Sequence, residues 1–414
     1  MSAPTVATSS KNNGVAGEFF RGMDDFATYQ HETGAVKDDT IKSNGSFVFA
    51  TSDNRIEVWD TEGNLFETIK MKSSGKYEHD VYINSLVMNP EGTKLIVIAS
   101  DYSDKHHHNS IIDSRGETLV AVFDIEGSSL TKISEAHVDG YHSSSYSVGN
   151  HVHVVTKSSL NTWRHFNDHL YRYNFASSLT NAEYVELAKT AAEEKIIPKF
   201  VDSFVELVTQ EEEIFISPII GFPDGYRSIT LVNSFDINEV VEEGDLELTY
   251  SKSLALSSGH TGYVYTTDEW LWVSDENWAW GPSSVDSLTK TTLLGFRFDG
   301  PSTNFAAATT IPGQLLSQFS IDFTKKDEKE YIRIAITQNS FETRWWQPRP
   351  FPAPVMETSE VDEAQDETKS RTLNEIIIFE VPNEDNGIVE LVKLGSLEVG
   401  KKDEVSAQNI LKIA

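Results

Sequence analysis

Apolar residues alternate with polar ones along most of the chain, with a period of two. Ser46 to Ala50 runs Ser-Phe-Val-Phe-Ala, then turns through Ser52-Asp53-Asn54 into Arg-Ile-Glu-Val-Trp over Arg55 to Trp59. Asp60-Thr61-Glu62-Gly63-Asn64 turns the chain again into Leu65 to Met71. Short β-rich runs separated by Asp, Asn, Ser and Gly read as hairpins, because those residues accept the special backbone angles of tight turns. The same grammar returns at Leu95 to Ala99, Thr118 to Ile125, Leu130 to Ser134, His151 to Thr156 and Ser228 to Phe235. It continues at Trp270 to Val273, Thr292 to Phe298, Tyr331 to Thr337 and Glu375 to Val381. Roughly twenty short strands at such spacing predict an all-β sandwich, barrel or propeller.

A degenerate repeat selects among these. Asn54 to Asn64 and Leu119 to Ser128 share one plan: a strand ending in Asp, one further residue, then Glu-Gly and a turn. Leu293 to Pro301 and Ile376 to Asn383 are looser copies. Internal repetition at this scale favours a β-propeller of four-stranded blades. The strands suffice for about five blades.

Two stretches depart from the pattern. Thr180 to Glu213 places apolar residues at steps of three and four among Ala, Glu and Lys, which predicts a helical insertion at 180–213 capped by Thr180 or Asn181. Pro348, Pro350, Pro352 and Pro354 lead into a run of carboxylates, so 348–371 reads as an acidic, Pro-rich loop. Residues 1–30 read as a flexible N-terminal extension and 31–414 as one propeller domain. Met1 to Gly14 lacks the charged-then-apolar plan of a signal peptide.

Charge narrows the partners. Among 414 residues, 64 Asp and Glu oppose 34 Lys and Arg, a formal net charge of −30. Nucleic-acid affinity comes mainly from cations against phosphates, so this balance argues against it. There are no cysteines, which removes disulfides, thiolate metal sites and thiol catalysis. No apolar run reaches the length that spans a bilayer.

One phrase is more specific. Ile311 to Phe323 reads Ile-Pro-Gly-Gln-Leu-Leu-Ser-Gln-Phe-Ser-Ile-Asp-Phe, followed by Tyr-Ile-Arg-Ile-Ala-Ile-Thr over Tyr331 to Thr337. With Val36 to Gly45, Ser145 to Thr156 and Gly262 to Val273 in the same order, it resembles the beta-propeller domain family of secreted bacterial and archaeal proteins. The resemblance covers about residues 30–400. It implies a propeller, an extracellular or cell-envelope location, and structural roles for Gly313, Gln318, Phe319, Ser320, Asp322 and Arg333. Asp322 is expected to hold backbone in a blade turn. The family pattern runs to seven or eight blades, so the chain carries either part of a ring or a ring closed with fewer.

The candidate chemistry is sparse. His106-His107-His108 lies among Asp101, Asp104 and Asp113, and His137, His142, His151 and His153 form a second group. His151 and His153 share a strand face, which makes them candidate ligands for a divalent metal; packing against a neighbouring blade is the competing reading. Trp278, Trp280, Trp345 and Trp346 are candidate ligand-stacking residues, whereas Trp270 or Trp272 fits a core. Asn383 to Gly387 reads as a polar turn, since its spacing fails the EF-hand rule. No catalytic motif occurs, and no cofactor other than that candidate metal is implied. The expected function is therefore a non-enzymatic extracellular or envelope propeller that binds a protein or a glycan. A metal-dependent or hydrolytic enzyme on the propeller face is the alternative.

Overall fold

The computed structural model describes residues 35–73, 79–101, 112–113, 117–160, 214–215, 228–238, 248–257, 260–277, 290–340, 371–383 and 389–399. Thr180, Glu183, Glu186, Lys189 and Thr190 are described as well. A short strand, β1 (Ala35–Lys37), precedes five antiparallel sheets of four main strands each. Blade I holds β2 (Ile41–Ser43), β3 (Phe47–Ser52), β4 (Arg55–Asp60) and β5 (Leu65–Lys70). A two-residue pair, β6 (Lys72–Ser73) with β7 (His79–Asp80), leads out of it. Blade II holds β8 (Tyr82–Met88), β9 (Lys94–Asp101), β11 (Glu117–Glu126) and β12 (Ser129–Asp139), with the short β10 (Ile112–Asp113) reaching across to blade III.

Blade III is β13 (Tyr141–Val148), β14 (His151–Leu160), β16 (Ser228–Asp236) and β17 (Ser251–Ser257), extended by β15 (Ile214–Phe215). Blade IV is β18 (His260–Thr266), β19 (Trp270–Asn277), β20 (Lys290–Asp299) and β21 (Ser302–Pro312). Blade V is β22 (Ile321–Lys326), β23 (Lys329–Ser340), β24 (Arg371–Val381) and β26 (Val392–Val399), while β25 (Val389–Glu390) pairs with blade IV. The all-β propeller of four-stranded blades expected from the repeat is what forms, with five blades among the described residues.

The period of two explains how the blades stack. On β9, Leu95, Val97 and Ala99 join a core shared with Phe49, Ile56 and Val58 of blade I. Ile96 and Ile98 face the other way, into a core with Val152, Val154 and Phe235 of blade III. Likewise Leu271 and Val273 pack towards blade III, and Trp270 and Trp272 towards Ile332, Ile334 and Phe379 of blade V. The central strands of blades II, III and IV are thus buried on both faces, which removes most of their side-chain surface from water, whereas β4 of blade I and β23 of blade V bury one face only. Both tryptophans are core, stacked at 5.0 Å between ring centroids. Among the described residues, buried apolar clusters join I to II, II to III, III to IV and IV to V; none joins V to I.

The repeated phrase has a structural cause. Trp59-Asp60 and Phe298-Asp299 close the third strand of their blade, and Phe123-Asp124 and Phe379-Glu380 stand within two residues of its end, where it turns into the fourth. In blade I the Asp60 carboxylate accepts from the Glu62 and Asn64 amides at 2.9 and 2.7 Å. Gly63 and Gly127 follow with positive φ. Blade III has a fifth copy that spacing alone did not reveal, Phe235-Asp236, where Asp236 accepts from the Asn238 amide at 2.9 Å.

A second device recurs between blades. Gly140 links blade II to III at φ +90, and Gly313 links IV to V at φ +95. An added Cβ would meet the Lys157 or the Thr337 carbonyl oxygen at 2.7 Å in each case. Each glycine carbonyl accepts a hydroxyl from the start of the previous blade's third strand, Thr118 at 2.9 Å and Thr291 at 2.7 Å. Gly313 therefore belongs to the family phrase for a steric reason.

Inside 180–213, Glu183, Glu186, Lys189 and Thr190 are helical. Thr180 and Glu183 form a capping box: Glu183 Oε2 accepts from the Thr180 amide at 2.8 Å, and Thr180 Oγ1 from the Glu183 amide at 3.3 Å. The other residues of that insertion lie outside the described residues. So do residues 1–30 and residues 348–370 of the acidic loop.

Candidate functional site

The family phrases converge on the innermost strands. β1 pairs antiparallel with β13, Ala35 opposite Val148 and Lys37 opposite Tyr146. The chain then steps sideways to blade II, where Asp39 and Leu86 exchange backbone hydrogen bonds at 2.7 and 3.0 Å. A segment that precedes blade I is therefore laid along the inner edges of blades III and II.

Three side chains fix it there. The Asp38 Oδ2 atom accepts from the Ser85 hydroxyl at 2.8 Å and from the Ser145 amide at 3.1 Å. His142 Nε2 lies 3.2 Å from the same oxygen and 2.7 Å from Ser145 Oγ. Lys37 Nζ donates to Gln318 Oε1 at 2.6 Å, across to the turn before blade V. Lys42 is buried and donates to the Lys37 carbonyl at 2.5 Å. Burial pulls its ammonium pKa down to about 8, against the opposing pull of Asp39 and Asp38.

Asp38, His142 and Ser145 are the residue types of a hydrolytic triad, yet the geometry differs from one. In a triad the carboxylate and the hydroxyl engage opposite ring nitrogens. Here both meet Nε2, and Ser145 is fully buried. The arrangement is a polar clasp for β1.

The remaining family residues are structural as well. Gln318 to Ser320 form one 3-10 turn, capped by Ser317, whose hydroxyl accepts from the Phe319 amide at 3.2 Å. The Ser320 hydroxyl accepts from the Ser317 amide at 3.3 Å, closing a capping box. Asp322 corrects the expectation of a turn residue. It stands on β22, directly opposite Arg333 on β23, and ion-pairs with that guanidinium; both side chains are about two-fifths exposed.

The two histidines proposed as ligands part company. His153 is fully buried; its Nδ1 lies 2.9 Å from Ser234 Oγ, and its ring stacks on Phe298 of blade IV at 4.1 Å. Burial lowers its pKa to about 3, helped by the neighbouring His151, so the ring is neutral. His151 is partly exposed, and neither histidine belongs to a group of three candidate ligands among the described residues. Trp278, Trp280, Trp345 and Trp346 lie outside the described residues, as do His106 to His108.

The group of three that does form is Asp101, Glu117 and His137 on blade II. Sequence reading placed His137 in a histidine group and Asp101 beside the His106 to His108 run, and did not join them. The available signal was an acid closing β9 and another opening β11, two strands otherwise apolar. Between blades III and IV, Lys157 Nζ meets Asp275 Oδ1 at 2.8 Å in a buried pair. Burial lowers the Lys157 pKa, and Asp275 opposes that shift.

Large apolar side chains that remain exposed are unevenly placed. Of nine among the described residues, Ile41, Tyr82 and Tyr141 open the innermost strands of blades I, II and III, and Leu316 and Phe319 immediately precede that of blade V. The innermost strands of successive blades run in the same sense, so these five gather on one face. Leu316 and Phe319 are 65% and 50% exposed.

The family model for the "Beta propeller domain" matches residues 27–407. None of the curated proteins compared matches the chain. Among solved structures, the tricorn protease is similar at 10% identity and a TM-score of 0.29. That match covers 73% of this chain, which spans about a quarter (25%) of the tricorn chain. Levansucrase from Bacillus subtilis is similar at 10% identity and a TM-score of 0.26, over 89% of this chain and 88% of that one. The acylaminoacyl peptidase of Pyrococcus horikoshii is similar at 8% identity and 0.21, over 82% and 56%. Among the described residues no helix is long and apolar enough to cross a membrane.

Proposed function

The chain belongs to the beta-propeller domain family, and from that premise we propose that it is an extracellular or cell-envelope binding module that takes a protein partner. The observation that carries this reading is the apolar face where the innermost strands begin. Exposing Ile41, Tyr82, Tyr141, Leu316 and Phe319 to water is costly, and such collections mark surfaces that meet another molecule. Aliphatic side chains among the aromatic ones favour a protein over a glycan, which is gripped chiefly by ring stacking and hydrogen bonds. The high negative charge makes a basic rim on the partner the natural complement.

The test is site-specific photo-crosslinking in the native host. A photoreactive residue at Phe319 is expected to trap a protein; one at Phe66, exposed on β5, the outermost strand of blade I, is expected to trap none. Equal trapping at both positions would refute the assignment of the face, and glycan-array binding lost in Phe319→Ala would replace protein with glycan. Recovery of the chain solely from the cytosolic fraction would refute the location.

A further inference from the structure

Blade II carries a set of side chains that no other blade repeats. β9 ends on Asp101 and β11 begins on Glu117, and these two face each other across the ladder. At the same place blade I pairs Ser52 with Arg55, and blade III pairs Ser159 with Ser228. Blade IV pairs Asn277 with Lys290, and blade V pairs Ser340 with Arg371. Only blade II sets two acids opposite each other there. His137 lies on β12 opposite Leu119, two residues along from Glu117, so all three side chains stand on one face of the sheet.

The distances matter more than the grouping. His137 Nδ1 lies 3.4 Å from Glu117 Oε2 and 3.7 Å from Asp101 Oδ2. That nitrogen is shielded from solvent and has no hydrogen-bond partner among the described residues. A direct hydrogen bond would sit at about 2.7–3.2 Å. Two atoms bound to one ion at about 2.0–2.2 Å lie about 2.8–3.6 Å apart for angles from octahedral to tetrahedral, a range that includes the Glu117 distance and that the Asp101 distance just exceeds. All three ligand atoms fall within 4.8 Å of one another. Two carboxylates so close repel, and a divalent cation between them cancels both charges.

We propose that Asp101, Glu117 and His137 bind one divalent transition-metal ion, of which Zn²⁺ is the best match. One imidazole with two carboxylates suits ions of borderline hardness. Three protein ligands leave a fourth position for water or a bound group. The Glu117 and His137 side chains are each 28% exposed, so the site lies close to the surface. This inference is independent of the apolar face and stands or falls separately.

The test is titration of the metal-free full chain with Zn²⁺ against a chromophoric chelator. The background is a variant with His106, His107 and His108 all changed to Gln, because three consecutive imidazoles bind metal wherever they stand. One Zn²⁺ per chain is expected, with a rise in melting temperature. His137→Gln and Glu117→Gln are each expected to weaken binding by more than about 100-fold while leaving the metal-free melting temperature unchanged. Two variants guard against a misfolded one. Binding retained in both, or no stoichiometric binding of Zn²⁺ or Mn²⁺ in this background, overturns the site.

Discussion

Removing the Asp38 carboxylate tests whether β1 is clasped as described. In Asp38→Ala the Ser145 amide and the Ser85 hydroxyl both lose their charged acceptor, at 3.1 and 2.8 Å. Both residues are buried, Ser145 completely. Each orphaned buried donor costs about 1–3 kcal/mol. The hydroxyl can rotate and the amide cannot, so the amide takes the upper part of that range and the sum is about 3–5 kcal/mol. Asp38→Asn keeps one acceptor oxygen and loses the charge, for an expected loss of about 1–2 kcal/mol. Ser85→Ala removes a single donor and is expected to cost about 1 kcal/mol. Equilibrium urea unfolding, followed by the fluorescence of the buried Trp270 and Trp272, measures all three. A loss under about 1 kcal/mol in Asp38→Ala, or equal losses in the three variants, would refute the clasp.

Other consequences are as direct. The folded pKa of His153, about 3, lies below the ordinary 6.5, so below about pH 6.5 the unfolded chain binds a proton that the folded chain refuses. Its contribution is complete above that pH and falls on acidification, by about 2 kcal/mol between pH 7 and pH 5; His153→Phe is expected to flatten the stability profile by that amount, and an unchanged profile counts against it. Gly313→Ala forces a Cβ to 2.7 Å from the Thr337 carbonyl at φ +95, and is expected to cost about 1–3 kcal/mol. Gly63→Ala, at φ +87 with open space around it, is expected to lose only about 1–2 kcal/mol, and calorimetry that ranks the two in reverse would sink the steric argument. Asp322→Ala breaks a half-exposed ion pair and is expected to shift stability by under about 1 kcal/mol; a larger loss in chemical denaturation would mean a buried role.

The architecture was legible because blade stacking writes itself into side-chain alternation. Leu95 to Ala99 must be apolar on both faces, since blades lie on either side, and the third-strand turns need an acid where the chain reverses. Asp322 was misread because its neighbours in sequence suggested a turn, whereas its partner, Arg333, is set by the β22–β23 register. The clasp was invisible for a related reason. Asp38 depends on Ser145, His142 and Ser85, none of them local, and only the pairing of β1 with β13 brings them together. His153 looked like a ligand by alternation with His151, but alternation also points a side chain into the next blade, which is where Phe298 waits.

That pairing of the first strand also sets an order of events in time. Blades II to V each pack on the blade before, so they can be added as they are made. Lys37 is different: its partner Gln318 is 281 residues downstream. At a synthesis rate of about 5–20 residues per second, β1 waits roughly 15–55 s before that bond can close. Until then β1 can hold only its ladder with β13 and the Asp38 and Asp39 contacts to blades III and II. Docking of β1 thus begins on blade III and is completed only when the turn before blade V supplies Gln318.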